Sequence, residues 1–130
     1  MANYLSICLM CKGDSKRQCR KNGIVYEIEC EACTAKYIGE TSRNGFSRCK
    51  KHAADYENKS DTSVLWRHCK EEHNSNKQSF KIKTRQCFGE RDATLCQITK
   101  ATFIKNEHPQ INKKTEFNQS ILPNAVIMRT

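Results

Sequence analysis

A Cys-x-x-Cys pair at Cys30 and Cys33, followed by His68 and His73, constrains this chain more than any other feature. Two thiolates offered by one tight turn and two imidazoles offered by a helix form the donor set of a tetrahedral zinc site. The 34 residues between Cys33 and His68 are too many for a small zinc finger, so the four ligands must converge through the fold of a larger domain. His68 and His73 are five residues apart, which on an ideal helix separates them by about 140°. The helix that carries them must therefore loosen or end near His73. Two thiolates and two neutral imidazoles balance the dication and leave no open position, so the expected role is structural. The plainer alternative packs His68 beside Leu65 and leaves His73 in solvent; the upstream Cys-x-x-Cys pair argues for zinc.

The rest of the composition narrows the setting. A chain of 130 residues reads as one domain with a modest core. Its 23 Lys and Arg against 14 Asp and Glu give a net charge of +9, suited to a polyanion such as nucleic acid or an anionic membrane surface. No apolar run approaches the ~20 residues of a membrane span, and the opening "MANYLSICLMCKG" lacks the layout of a secretory signal, so a soluble intracellular protein with no membrane partner is expected. The bare termini suggest a segment of a longer protein. Nine cysteines, an odd number in a reducing compartment, read as metal ligands or buried thiols rather than disulfides. Cys8, Cys11 and Cys19 form a second Cys-x-x-Cys plus one. They are either a second zinc site, completed by Cys49, Cys69, Cys87 or a residue elsewhere, or three free thiols on a basic arm spanning residues 1–22.

Periodicity places the elements. "GIVYEIEC" and "AKYIGE" carry β-formers on either side of the Cys-x-x-Cys turn and predict a hairpin. A helix beginning near Asn44 has Phe46, Cys49, Ala53 and Tyr56 on one stripe. A second, short helix has Ser60 or Asp61 as N-cap, an inner face of Val64, Leu65 and Cys69, and a stop at Asn74. "SFKIKTRQCF" predicts a half-buried strand with Lys81, Lys83 and Arg85 turned outward as a solvated edge. A third helix ends before Pro109, and the chain from Lys113 has no period. The expected architecture is α/β, a three-stranded antiparallel sheet flanked by about three helices over residues 23–115, with a tail at 116–130.

On these elements stand "GIVYEI", "KYIGET" and "RNGFSRCKKH". The tyrosines Tyr26 and Tyr37 are eleven apart, Gly39 follows the second, and Arg48 and His52 lie one turn apart on the next helix. This pattern resembles the GIY-YIG endonucleases. The Cys-x-x-Cys inside it and the histidine pair after it resemble in particular the endonuclease domain of Penelope-like retrotransposons. The likeness covers roughly residues 20–115.

The resemblance implies a nuclear domain that nicks double-stranded DNA so that the reverse transcriptase of a parent polyprotein can prime on the exposed end. It implies Tyr26 as the residue that deprotonates or orients water, assisted by Tyr37, with magnesium or manganese as catalytic cation. It implies Arg48 on the phosphate, with neighbouring cations lowering the tyrosine pKa, His52 near the same phosphate, and Gly39 allowing close approach of the substrate. It also implies a closing helix with a metal-binding glutamate, then a proline and asparagine matched by Pro109 and Asn112. Counting back from these, the glutamate position holds Lys100, whose ammonium cannot coordinate a cation. The expectation is a catalytically disabled endonuclease that retains fold and DNA binding. The alternative from the residues alone is a non-catalytic zinc-dependent nucleic-acid-binding module.

Overall fold

A computed structural model of the chain describes residues 22–88 and 93–118. Cys8, Cys11 and Cys19, with most of the expected arm and residues 119–130 of the expected tail, lie outside the described residues, as does the side chain of Phe46. Strands β1 (Asn22–Cys30) and β2 (Lys36–Asn44) form the hairpin, and β3 (Phe80–Cys87) pairs antiparallel on the other side of β1, giving the order β2-β1-β3. Helices α1 (Gly45–Glu57), α2 (Val64–Glu72) and α3 (Ala93–Glu107) complete the three-helix, three-stranded antiparallel architecture that the periodicity predicts.

β1 is the central strand and is buried on both faces, so its alternation separates two kinds of interior rather than interior from solvent. One face carries Ile24, Tyr26, Ile28 and Cys30, which pack with Cys49 and Tyr56 of α1, with Leu65, Trp66 and Cys69 of α2, and with Phe80 and Ile82 of β3. On the other face Val25 and Ile38 pack with Cys96 and Ile104 of α3, joined by Phe88 and Phe103. Cys49 and Cys69 are thus core thiols.

Glu27 lies on that second face and is only 3% exposed. A buried carboxylate is costly unless it is paired. Here Arg85 donates to Glu27 Oε1 at 2.9 Å, while Lys36 and Lys83 stand 3.7 and 3.9 Å away. The same guanidinium forks onto Glu107 at 3.2 and 2.7 Å and lies over the Phe103 ring at 4.2 Å. These contacts raise the Arg85 pKa and lower that of Glu107. Lys81 stands 3.8 Å from Glu29. The basic residues of β3 do point to one face, as the alternation predicts, but their partners are glutamates of the neighbouring strand.

Two local expectations are corrected. The N-cap of α2 is Ser63, whose hydroxyl accepts from Trp66 N at 3.0 Å, and not Ser60 or Asp61. Ser60 instead organises the preceding turn, accepting from Ser63 N and, through its hydroxyl, from Thr62 N. Several candidate caps in succession compete, and burial of Leu65 and Trp66 fixes which one starts the helix. The chain after Lys113 is not without structure: a 3-10 helix spans Lys114–Asn118. One such turn has too few residues to show a period. Glu116 accepts from Asn112 Nδ2 at 2.9 Å and from Lys113 N at 3.2 Å, so part of the expected tail is joined to the domain.

The outer edge of β2 is closed by the segment before that turn. Ile111 N donates to Lys36 O at 2.9 Å, and the Asn112 amide both accepts from Ile38 N at 2.8 Å and donates to Ile38 O at 3.0 Å. An edge strand with exposed donors and acceptors invites unwanted pairing, and these contacts satisfy it.

Replacing the cap, Ser63→Ala, leaves the Trp66 amide without its side-chain acceptor and is expected to cost about 1 kcal/mol in a denaturant melt. Ser60→Ala is expected to cost less than about half of that.

Candidate functional site

The four expected metal ligands come together. β1 ends at Cys30, and a turn follows in which Cys30 N donates to Ala35 O and Thr34 N donates to Cys30 O, both at 2.8 Å. Thr34 takes a left-handed φ of 63°, uncommon for a β-branched residue, and this tight reversal puts Cys33 back beside Cys30. His68 lies on α2, and His73 is its C-cap with φ −131° and ψ 25°. The helix therefore ends at His73, where the five-residue spacing of the histidines requires it to. Cys33 Sγ is 3.3 Å from His68 Nε2, and Cys30 Sγ is 3.6 Å from His73 Nε2.

All four ligand atoms lie within 4.8 Å of one another. Tetrahedral zinc, with its usual bond lengths, separates sulfur and nitrogen ligands by roughly 3.3–3.8 Å. The group can therefore hold a metal such as zinc with little rearrangement. Burial, and then His73, push the His68 pKa down, so its imidazole is the neutral form that a metal needs. Burial pushes the Cys30 thiol up, so metal binding has to displace its proton. A bound ion would tie the hairpin turn to the end of α2.

A second cluster lies on the same face of the sheet. Tyr26, Tyr37 and His52 form a triangle of rings with centroids 6.4, 5.7 and 5.8 Å apart. Tyr26 Oη is 2.8 Å from His52 Nε2. Tyr37, Arg48 and His52, with Lys51, Asp55 and the start of α2, line a cleft of about 330 Å³. Tyr26 is not among the lining residues and is 1% exposed, so it forms a second layer beneath His52 and Tyr37.

Electrostatics correct one expectation here. Nearby cations do not lower the Tyr26 pKa: burial raises it well above the usual phenol value, Tyr37 adds to that, and Arg48 opposes it only in part. Burial and Glu116 raise Tyr37 likewise, against Arg48 and Arg67. Burial, with Arg48, depresses His52 to about 4. At neutral pH the cluster is thus two protonated phenols and a neutral imidazole. With Nε2 unprotonated, His52 is an acceptor for the Tyr26 proton should charge develop on the phenol.

Gly39 stands opposite Tyr26 in the hairpin register. A Cβ at that position would lie 2.5 Å from Tyr26 Oη, so the missing side chain makes room for the phenol. Asn112 is 3% exposed and spends its amide on the Ile38 backbone, which fixes the strand segment that bears Tyr37. Lys100 is half-buried on α3, the helix on the opposite face of the sheet from the ring cluster, and makes no hydrogen bond or ion pair among the described residues. Sequence reasoning missed Glu116, Glu40 and Arg67 as charges acting on Tyr37. No local motif marks them, because each reaches the ring through tertiary placement.

Compared with family models, curated proteins and solved structures, the chain shows no match.

Zinc-loaded protein is expected to lose one equivalent of metal on Cys33→Ser or His73→Ala, by elemental analysis, and to lose several kcal/mol of stability in the same variants. The His52 shift sets a pH dependence. A folded-state pKa of about 4 against an ordinary 6.5 leaves stability untouched above pH 6.5 and removes it progressively as pH falls toward 4. The loss is on the order of 3 kcal/mol. Measured on zinc-loaded protein, the stability of the native chain relative to His52→Gln is expected to fall through that window, a comparison that cancels the acid sensitivity of the metal ligands.

Proposed function

We propose that this chain is a GIY-YIG-like DNA endonuclease domain of a Penelope-like retroelement, in a form that binds double-stranded DNA and cuts it poorly. The observation that carries the reading is the gathering of Tyr37, Arg48 and His52, backed by Tyr26, around one cleft. Residues drawn from a strand pair and a helix, and separated by up to 26 positions, share one small volume at the spacing of the sequence motif. In such a site Arg48 grips phosphate through its fork of N–H donors, and Lys51 adds long-range attraction. The +9 charge supplies the general affinity for a polyanion.

The cleavage step needs an activated water and stabilised charge on phosphorus and on the leaving oxygen. The neutral His52 imidazole lines the cleft, and the Tyr26 phenol beneath it orients that ring through the 2.8 Å contact with Nε2. The magnesium or manganese that the resemblance implies does not fit the residues present. Lys100, the position that the resemblance gives to the metal-binding glutamate, carries an ammonium and stands on α3 across the sheet from the cleft, and Glu116 is engaged with Asn112 and Lys113. Among the described residues, Cys30, Cys33, His68 and His73 alone form a group of three or more metal-binding side chains. In the parent polyprotein the domain would deliver a reverse transcriptase to nuclear DNA.

A second reading, a zinc-dependent nucleic-acid-binding module without catalysis, is favoured by the burial and firm protonation of Tyr26. Both readings expect duplex binding that weakens steeply with salt and falls about tenfold on Arg48→Gln. They divide on a plasmid-nicking assay with magnesium. The endonuclease reading expects little nicking by the native chain, gain of nicking by Lys100→Glu, and its loss when Tyr26→Phe is added. Absence of nicking in Lys100→Glu would leave the binding module, robust cleavage by the native chain would overturn the disabled form, and absence of DNA binding would overturn both readings.

A further inference from the structure

A second cleft of about 340 Å³ lies against the metal ligands, with Arg67, Gln110 and Ile111 on its wall. The two clefts share their framing elements. The start of α2 gives Ser63 and Val64 to the first, and the next turn gives Arg67 and His68 to the second. Tyr37 lines the first, and Ala35, two residues earlier on the same side of the chain, lines the second. A step of two residues of extended chain is about 7 Å and a helical turn about 5.4 Å, so the two clefts lie one after the other along α2.

Arg67 lines the second cleft, one turn of α2 from Ser63 and Val64 in the first. Its Nη2 donates to Ile111 O at 2.7 Å, the one hydrogen bond its guanidinium makes among the described residues. That contact anchors the side chain on the segment closing the β2 edge, and a guanidinium has four further N–H donors. Arg67 and Arg48 both act to lower the Tyr37 pKa, against burial and Glu116. Beyond Arg67 the charge of the wall reverses: Glu71, one turn further on α2, and Glu72 line the far end of the second cleft.

Resting on the nucleic-acid reading above, we infer that Arg67 holds a second backbone phosphate of the DNA strand, next to the one gripped by Arg48, and that the strand leaves the clefts there. The cation anchored on the wall of the second cleft supplies the contact, and the carboxylates of Glu71 and Glu72 repel any further phosphate. The second cleft thus bounds the footprint on the side of the metal ligands.

The test uses the zinc-loaded full chain and a short fluorescein-labelled DNA duplex of arbitrary sequence, titrated by anisotropy over a salt series, with ethylation interference to locate the contacted phosphates. Arg67→Gln is expected to weaken binding about tenfold, reduce the salt slope by about 0.9, and remove one interfering phosphate at one end of the footprint. Because Arg67→Gln also loses the Ile111 contact, Gln110→Glu serves as a second variant. It retains an oxygen to accept from Lys36 N, as Gln110 Oε1 does at 3.2 Å, and adds a negative charge beside the subsite. It is expected to remove the same terminal phosphate. If both variants bind and footprint like the native chain while Arg48→Gln is impaired, the Arg67 subsite is overturned and the nucleic-acid reading stands. If Arg48→Gln also binds like the native chain, both are overturned.

Discussion

The attachment of the hairpin turn to the end of α2 through Cys30, Cys33, His68 and His73 is the constraint on which the rest of this structure depends. α2 is a nine-residue helix, and isolated helices of that length do not hold together in water. Its burial of Leu65, Trp66 and Cys69 fixes one end against the sheet, and the ligand group fixes the other. Both clefts have α2 as a wall, so the distance from Arg48 to Val64, and from Ala35 to Arg67, follows from how firmly this helix is tied down. A structural metal is an economical staple for a domain of this size, whose two apolar clusters are small and separated by the sheet.

The sheet divides the labour between its faces by different means. On the ring-cluster face burial outweighs the mixed charges of Arg48, Arg67, Glu40 and Glu116, so the phenols keep their protons and His52 stays neutral. On the α3 face a buried carboxylate, Glu27, is met by three cations, Lys36, Lys83 and Arg85. That network holds strands β1, β2 and β3 to one another and, through Glu107, to α3. It also takes up much of the basic charge of β3, which leaves the cations of α1 and α2 as those that border the clefts.

Much of this was legible in the sequence because it is local or periodic. The period-2 runs around the Cys-x-x-Cys turn gave the hairpin, the stripe through Cys49, Ala53 and Tyr56 gave α1, and the angular mismatch of His68 and His73 gave the end of α2 at its own ligand. What stayed hidden depends on partners distant in the chain. The Asn112 amide bonds a backbone 74 residues away, and nothing near Asn112 signals that its function is to close a strand edge. The shift of Tyr26 was misjudged in direction because a sequence shows the cations that would lower a pKa but not the burial that raises it. Ser63 was passed over as a cap because Ser60 and Asp61 offer the same chemistry, and only the packing of Leu65 and Trp66 distinguishes them.

Lys100 shows how the two levels combine. On α3 it falls between Cys96 and Ile104, the two buried residues of the helix, at the spacing of successive turns. A helix turns such a stripe toward its neighbour, and an ammonium there carries a desolvation cost unless its chain snorkels outward, which the half-buried state of Lys100 allows. The position is therefore ill-suited to a lysine as a packing residue. A carboxylate would be no better suited to packing unless a cation met it, so the physical oddity lies in the site rather than in the residue now occupying it.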